Sequence, residues 1–536
     1  MKSTYVGICG LTSKIGIVAI CAIIVSSAQA SHGDDEPHHP LALTESGVVT
    51  GSTINGVNEF LGIPYAAAPT GSRRWRPPAP YGLFPGFVFQ ATQFGGACTQ
   101  PGGIGSENCL FLNVYTPARE FDDTERCGWP VMMWIHGGGL QIGSADSYDP
   151  TPLVKKGVIV VTINYRLGYL GFFAHSAIDA EGHLNGNYGL MDQQFALKWV
   201  HRNIKGFCGD PGRVTIFGQS AGGQSVYAHL ASPLAAGLFH GAIAESGTYL
   251  EFQDYFENIV TLAVAETAGS AVADSVGCGS QTAACLRGVP ASTLVEAEPF
   301  PIFPIVDGRL LTETMSAAFA SGEFNRVPIM SGTNHDEYRL FVALDYDFAG
   351  SPILNSTDYD NAVTALWGPD LEPSVVALYP FASYSSGGEA LGASGTDGVF
   401  SCPLRNANQS LSKFVTTYAY EFNDENAPPS PSLFGGLLTF SLGAYHTAEL
   451  QYLFKNGDFF GLPLAPLSPK QRKLSAAMIS YWTQFAKTGN PNSPREPVWS
   501  PYSASADEFQ SLTPPKPMVE SDFDAAHQCS TFWNMF

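Results

Sequence analysis

Short apolar runs alternate with amphipathic stretches along this chain. Each run is bounded by glycine or polar residues and is apolar at nearly every position, which predicts strands buried on both faces. Between them, residues 189–203 carry apolar side chains at helical spacing, which predicts a covering helix. The predicted strands are 131–135, 158–163, 214–217, 241–244, 327–330 and 414–422.

The alternation of strands and helices predicts an α/β sheet, mostly parallel and covered on both sides. Functional sites of such sheets form outside the carboxyl ends of the strands. The stretch Gly218-Gln-Ser-Ala-Gly222 directly follows the predicted strand 214–217 and precedes a helical pattern. Ser220 is therefore a candidate nucleophile at the functional end of the sheet.

The N-terminus has the three parts of an export signal. Lys2 and Lys14 precede an apolar run over 15–25, and Ala28 and Ala30 follow it as a small-residue cleavage site. The run is too short to span a bilayer with ease, although an uncleaved anchor is the alternative. We expect a signal peptide over 1–30, cleavage near Ala30, and a secreted or periplasmic protein without a membrane span.

The remaining 506 residues are acidic and undivided. Loss of the two signal lysines takes the formal net charge from −21 to −23, which argues against nucleic acid and anionic lipid as partners. The length exceeds that of a usual single-core domain, but no linker, charge block or repeat divides the chain. We therefore expect one large domain over 31–536 with long insertions.

Eight cysteines remain after the signal, in keeping with export. Sequence spacing allows three pairs to close small loops or hold the tail, and no CxxC spacing indicates a metal or redox site. The fourth pair, Cys127 and Cys208, forms a disulfide if the strands that follow the two cysteines are neighbours in the sheet. Otherwise both are free buried thiols. The candidate pairs are Cys98 with Cys109, Cys278 with Cys285, Cys402 with Cys529, and Cys127 with Cys208.

A serine hydroxyl needs a base, and the base needs an orienting acid. On an α/β-hydrolase sheet these follow in the order serine, acid, histidine. His446, in the loop 443–449 after the strand ending at residue 422, is the histidine that satisfies this order. The segment after strand 327–330 offers Asp336 and Glu337 as the acid, and chemistry alone does not choose between them. Asp307 is a weaker candidate because Asp-Gly indicates a turn.

The oxyanion of an acyl-transfer transition state needs backbone donors. Ile135-His-Gly-Gly-Gly139 follows the strand 131–135, and only glycines allow a backbone to approach a reacting carbonyl so closely. Two amides of this loop and the amide of Ala221 would point at one position. Gly218 and Gly222 leave room for a strained turn that exposes the Ser220 hydroxyl.

With these motifs in order, the chain resembles the type-B carboxylesterases, a family that includes cholinesterases, fungal lipases and bacterial nitrobenzyl-type esterases. The resemblance covers nearly all of the chain after the signal. Further motifs that carry it are Phe60-Leu-Gly-Ile-Pro-Tyr-Ala66, Arg74-Trp-Arg-Pro-Pro78, 106–114, Asn164-Tyr-Arg-Leu-Gly168, 186–193 and Glu245-Ser-Gly247.

The resemblance implies an α/β-hydrolase fold, a large, mostly parallel sheet flanked by helices. It matches Ser220, Glu337 and His446 to the family's nucleophile, acid and base, and it implies the first three disulfides named above. The remaining matches are the oxyanion-hole amides of Gly138, Gly139 and Ala221, the ion pair Arg74–Glu107, and a serine near the triad, Ser246.

Three departures from the family pattern, two of them from the cholinesterases, bear on the substrate. Gln219 stands where they have Glu before the nucleophile, and the loop from Cys98 to Cys109 lacks their cation-binding Trp. Choline esters are therefore not the expected substrates. Leu140 replaces an aromatic residue that many relatives have after the glycine triplet.

We therefore predict a serine carboxylesterase that forms an acyl-enzyme on Ser220, takes a small-molecule ester and needs no metal or cofactor. The alternatives are a lipase or peptidase with the same triad and a non-catalytic adhesion-type relative on the same fold. The sequons at Asn355 and Asn408 would carry glycans only in a eukaryotic secretory host.

Overall fold

The structure is a computed structural model that describes residues 39–118, 127–247, 261–297, 302–429, 436–455 and 465–535 of the 536-residue chain. The predicted signal peptide lies outside the described residues. Residues from His39 onward form one compact unit. The strands, in chain order, are β1 Leu41–Thr44, β2 Gly47–Thr50, β3 Ser52–Ile54, β4 Val57–Pro64, β5 Val88–Gln90, β6 Phe111–Pro117, β7 Trp129–Ile135, β8 Ile159–Ile163, β9 Phe172–Phe173, β10 Gly186–Asn187, β11 Gly209–Gln219, β12 Gly241–Glu245, β13 Ile329–Asn334, β14 Thr417–Phe422, β15 Phe509–Leu512 and β16 Met518–Glu520.

One large mixed sheet organises the described chain. Its strand order is β16-β15-β14-β13-β12-β11-β7-β8-β6-β4-β3. The central strands from β15 to β8 are parallel, whereas both edges are antiparallel. The predicted α/β-hydrolase fold is confirmed, with the antiparallel edges as an addition that the apolar runs did not indicate.

Helices cover the sheet, and the predicted helix over 189–203 is present as α4. Its buried face packs on the sheet, and the chain leaves β11 directly into α5. The α-helices are α1 Thr151–Val154, α2 Gly168–Gly171, α3 Ser176–Asp179, α4 Tyr188–Asn203, α5 Ala221–Ala231, α6 Leu262–Ser275, α7 Ala283–Gly288, α8 Ala291–Val295, α9 Met315–Ser321, α10 Arg339–Val342, α11 Ser356–Trp367, α12 Glu372–Leu378, α13 Gly387–Gly395, α14 Cys402–Leu411, α15 Leu450–Leu453, α16 Pro469–Thr488 and α17 Phe523–Ala526.

The continuous apolar runs are explained by a core on each face of the sheet. Along β7, Val131, Met133 and Ile135 belong to one hydrophobic cluster, and Met132 and Trp134 belong to the other. Successive side chains of a strand point to opposite faces, so a strand buried on both sides has no polar alternation. In the described chain, no helix is long and apolar enough to cross a membrane.

Four disulfides join the eight cysteines of the described residues. They pair Cys98 with Cys109, Cys127 with Cys208, Cys278 with Cys285, and Cys402 with Cys529. The second pair was left open by the sequence, and its condition is met because β7 and β11 are neighbours that begin beside it, with Trp129 opposite Gly209. The ion pair Arg74–Glu107 is also present, with two N–O contacts of 2.6 Å.

The two sequons have very different surroundings. Asn355 is exposed and caps α11 by accepting a hydrogen bond from the amide of Asp358. Asn408 lies on the inner face of α14 with no exposed surface. The expectation of a glycan at Asn408 is therefore wrong for the folded chain, because its amide nitrogen is not accessible.

Candidate active site

Ser220 lies in the sharp turn between β11 and α5. Its backbone has φ 58° and ψ −128°, a conformation that costs free energy for a residue with a side chain. The neighbouring strand β12 holds this turn, because the Ser220 amide donates to the Glu245 carbonyl at 2.9 Å. A Cβ at Gly218 would lie 2.6 Å from the Gly222 backbone, so the two flanking glycines are required by close backbone packing.

The glycine loop after β7 packs directly on this turn. A Cβ at Gly137 would lie 2.9 Å from the Ser220 Cβ, so glycine is needed for the approach. Gly138 and Gly139 have φ angles of 104° and 60°, which glycine adopts without the cost that other residues pay. The predicted oxyanion loop and the predicted nucleophile are therefore adjacent.

His136 braces this loop, a role that the sequence reasoning did not assign. Its ring stacks on Tyr165 with a centroid distance of 4.4 Å, and its Nδ1 lies 2.8 Å from the Gly137 carbonyl oxygen. Burial lowers the pKa of His136 to about 4, so its ring is neutral at pH 7 and Nδ1–H donates to that carbonyl. The sequence feature that could have drawn attention to His136 is its position directly before the glycine triplet. A sequence pattern does not reveal that its ring stacks on Tyr165.

Glu337 and His446 meet at the carboxyl end of β13. Glu337 Oε2 lies 2.5 Å from His446 Nδ1, and both side chains are buried. The other oxygen, Oε1, accepts from the Thr333 hydroxyl at 2.8 Å and from the Asn334 amide at 2.7 Å. The carboxylate is therefore fixed from both sides, with Oε2 directed at the imidazole.

The other two candidate acids have different partners. Asp336 Oδ2 accepts from the backbone amide of Ala444 at 2.8 Å. Asp307 Oδ1 accepts from the amides of Arg309, Leu310 and Leu311, as expected for a turn. Of the three acids that the sequence offered, Glu337 is the one that contacts the imidazole of His446.

The second nitrogen of His446 faces the Ser220 turn. Its Nε2 lies 3.3 Å from Nε2 of Gln219, the residue before Ser220. Two aromatic rings flank the imidazole, Phe341 and Phe400, each with a centroid distance of 5.1 Å. Within the described chain no hydrogen bond joins the Ser220 hydroxyl to His446, and catalytic hydrogen bonds are often long before substrate binds.

A buried polar layer lies beneath the turn. Glu245 accepts from the Trp482 indole at 2.8 Å, and burial raises the pKa of this carboxyl to about 8 against that hydrogen bond. Ser246 is buried with φ 50°, and its amide donates to the Gly332 carbonyl on β13. Glu449 accepts from the Asn334 side chain at 2.6 Å. Neither glutamate was identified as part of the site from the sequence.

Comparisons with known proteins agree on one family. The sequence model described as "Carboxylesterase family" matches residues 38–532. The chain is 34% identical over 506 residues to the acylcarnitine hydrolase of Mus musculus, covering 87% of this chain and 86% of that protein. It is 34% identical over 480 residues to the para-nitrobenzyl esterase of Bacillus subtilis (strain 168), covering 85% and 91%.

Solved structures give the same result. A PNB esterase structure superposes with a TM-score of 0.75 at 32% sequence identity, covering 92% of this chain and all of the other. A thermophilic PNB esterase structure gives 0.76 at 32% identity, covering 92% of this chain and 99% of the other. The similarity therefore extends over sequence, length and tertiary structure.

Proposed function

The chain belongs to the carboxylesterase family and is a serine carboxylic-ester hydrolase, and from this premise we propose a mechanism that uses Ser220, Glu337 and His446 as its triad. Ser220 Oγ attacks the carbonyl carbon of the ester, and His446 Nε2 accepts its proton. Glu337 stays ionised, keeps the proton of His446 on Nδ1, and stabilises the imidazolium that forms.

The oxyanion of the tetrahedral intermediate accepts hydrogen bonds from the amides of Gly138, Gly139 and Ala221. The position of this loop against the Ser220 turn supports the assignment, and Ala221 begins α5, whose N-terminus favours negative charge. Loss of one such donor costs about 3–4 kcal/mol of transition-state stabilisation.

The acyl-enzyme forms when His446 protonates the leaving alcohol and the bond to the acyl carbon breaks. Water, deprotonated by the same imidazole, then attacks the acyl carbon and releases the acid. One base serves both half-reactions, so ping-pong kinetics are expected. No step of this route requires a metal ion or a cofactor.

The observation that carries the proposal is the position of His446. Its Nδ1 is held by Glu337 at 2.5 Å while Nε2 lies beside the residue that precedes Ser220. An imidazole bound by a carboxylate at one nitrogen, with the other directed at a strained serine turn, is the arrangement that a general base requires.

Substitution of the nucleophile tests the proposal most directly. We expect Ser220→Ala to lower kcat on a p-nitrophenyl ester by about 10⁴–10⁶-fold without unfolding the protein. Ser225→Ala is a matched control, because Ser225 is buried on the same helix but bonds to Gln193 and the Ala221 carbonyl. Activity of Ser220→Ala near that of the wild type would refute the triad.

A non-catalytic relative and a lipase are the alternative functions. Labelling by a fluorophosphonate probe separates the first, because an idle serine does not react. Activity across acyl chain lengths, with and without an oil–water interface, separates a lipase from an esterase that acts on soluble esters.

We also propose that the protein is secreted or periplasmic after cleavage near Ala30. The apolar run over 15–25 and the four disulfides support this, since disulfides persist in oxidising compartments. N-terminal sequencing of the protein recovered from the medium or periplasm tests it, and a mature chain that still begins at Met1 would contradict it.

A further inference from the structure

Two segments that carry the proposed acid and base are bound to each other by consecutive backbone contacts. The Asn334 side chain donates to the Tyr445 carbonyl at 2.7 Å, and the His446 amide lies 3.3 Å from the Glu337 carbonyl oxygen. Between these contacts, Asp336 bonds Ala444. The end of β13 and the residues that follow it therefore hold the loop of the base over three successive positions.

Asp336 makes two contacts with this loop. Its amide donates to the Ala444 carbonyl at 3.1 Å, and its carboxylate oxygen Oδ2 accepts from the Ala444 amide at 2.8 Å. One buried residue thus satisfies both backbone groups of a loop residue two positions before His446. Gly443, with φ 63°, makes the approach possible, because a Cβ there would overlap the Asp336 carboxylate.

The other carboxylate oxygen of Asp336 is held by two cationic side chains. Arg339 Nη2 lies 2.8 Å from Oδ1, and His335 Nδ1 lies 3.3 Å from the same oxygen. Arg339 also donates to the Ser441 carbonyl, so the pair contacts the base loop at a second place. Burial alone would raise the pKa of Asp336, but His335, Arg339 and the Ala444 amide outweigh it and hold this pKa below its ordinary value.

We propose that Asp336 is a positioning residue for catalysis, which fixes the loop of His446 so that the imidazole stays aligned with Glu337 and Ser220. The inference rests on the proposed function. Glu337 and His446 stand on separate segments, and their 2.5 Å contact depends on how those segments are registered. A misplacement of about 1 Å in a catalytic constellation can lower the rate about 100-fold.

The first experiment separates alignment of the base from substrate binding. We expect Asp336→Ala to lower kcat about 100-fold with KM changed less than about 3-fold, since the acid–base contact acts in the chemical step. Asp336→Asn keeps an oxygen acceptor for the Ala444 amide and should recover most of kcat. Asp507→Ala is the matched control. It removes the carboxylate that lies 2.8 Å from the buried guanidinium of Arg405, and it should keep wild-type kcat.

The second experiment separates positioning from general destabilisation. In a double-mutant cycle with Glu337→Gln, Asp336→Ala should add little further loss of kcat, because the contact it aligns is already impaired. Full multiplication of the two losses, or wild-type kcat for Asp336→Ala, overturns the inference. All rates are expressed per mole of folded protein, quantified from the native circular-dichroism signal, so unfolded protein does not enter them.

A second variant covers the case in which Asp336→Ala does not fold. Gly443→Ala places a methyl group where the Asp336 carboxylate lies, so it should give the same loss of kcat and, like Asp336→Ala, should add little further loss in Glu337→Gln. Wild-type kcat in Gly443→Ala overturns the inference. Ser220→Ala is measured alongside: its retained activity refutes the proposed function itself, whereas a dead Ser220→Ala beside a normal Asp336→Ala refutes only the role of Asp336.

Discussion

Two buried histidines of this protein each have a carboxylate beside one ring nitrogen, but they differ in what lies beside the other nitrogen. His446 Nδ1 lies 2.5 Å from Glu337, and His527 Nδ1 lies 2.5 Å from Asp397. The remaining nitrogen of His527 lies 2.6 Å from Glu421, a second carboxylate. Among the described residues, the remaining nitrogen of His446 has no carboxylate partner and lies beside Gln219 at the Ser220 turn.

The second partner decides what each imidazole can do. Burial opposes protonation of His527, but Asp397 and Glu421 outweigh it and hold the pKa of His527 well above its usual range. An imidazolium with both N–H groups bound cannot accept a proton, so His527 links the C-terminal segment to β14 and the 396–401 helical turn. A carboxylate beside a histidine therefore does not by itself indicate a catalytic base.

The largest expected effect is the difference in kcat between substitutions of the two histidines. His446→Gln should lower kcat on a p-nitrophenyl ester by about 10⁴-fold or more, because Ser220 loses its base. His527→Gln should leave kcat of the folded fraction within about 3-fold of wild type, since its nitrogens face structural carboxylates. Steady-state kinetics per mole of folded protein check both, and an equal loss in the two variants would end the distinction.

The second expected effect is on the free energy of unfolding, where His527→Gln should be the more damaging substitution. His527→Gln leaves two buried carboxylates without their cation and should lower the free energy of unfolding by about 3–5 kcal/mol. His446→Gln should cost much less, because Glu337 keeps its bonds from Thr333 and the Asn334 amide. Urea midpoints of the two variants measure the difference, and a smaller loss for His527→Gln would contradict it.

The stability gap between wild type and His527→Gln should narrow as the pH rises. A histidine whose folded pKa is raised contributes stability that is complete below the unfolded pKa of about 6.5. That stability is lost at about 1.4 kcal/mol per pH unit until the folded pKa is passed. Urea midpoints at pH 7, 8 and 9 test this, and a constant gap would show that His527 is neutral in the folded protein.

The smallest expected effect concerns Glu520, which stands beside Glu421 in the same cluster. Burial and the Glu421 charge raise the pKa of Glu520 to about 9, so folding keeps it protonated while the unfolded chain ionises it. Stability is therefore lost as the pH rises from about 4.5 to about 9. Glu520→Gln removes this loss and should raise Tm by a few degrees at pH 8 but not at pH 4.5. An equal shift at both values would contradict the protonated state.

The local sequence pattern was sufficient to predict the strands and helices of the core and part of the candidate active site. The strand predicted over 131–135 is observed at Trp129–Ile135, and the helix predicted over 189–203 at Tyr188–Asn203. The position of Ser220 was predicted from glycines that a tight turn requires, and the order serine, acid, histidine led to His446. The strand, the helix and the turn are observed where they were predicted, because hydrophobic periodicity and turn sterics are properties of neighbouring residues, whereas the catalytic roles of Ser220 and His446 stay predictions.

The sequence by itself determined the α/β sheet, the Ser220 turn and the histidine loop, because each follows from a short stretch of residues. Only the tertiary structure brought Glu337 rather than Asp336 to the imidazole of His446, joined Cys127 to Cys208, and buried Asn408. In all three cases the outcome depends on which distant segment packs against a side chain. The adjacent residues Asp336 and Glu337 both carry carboxylates, but they have different hydrogen-bond partners. That difference exists only after the chain has folded.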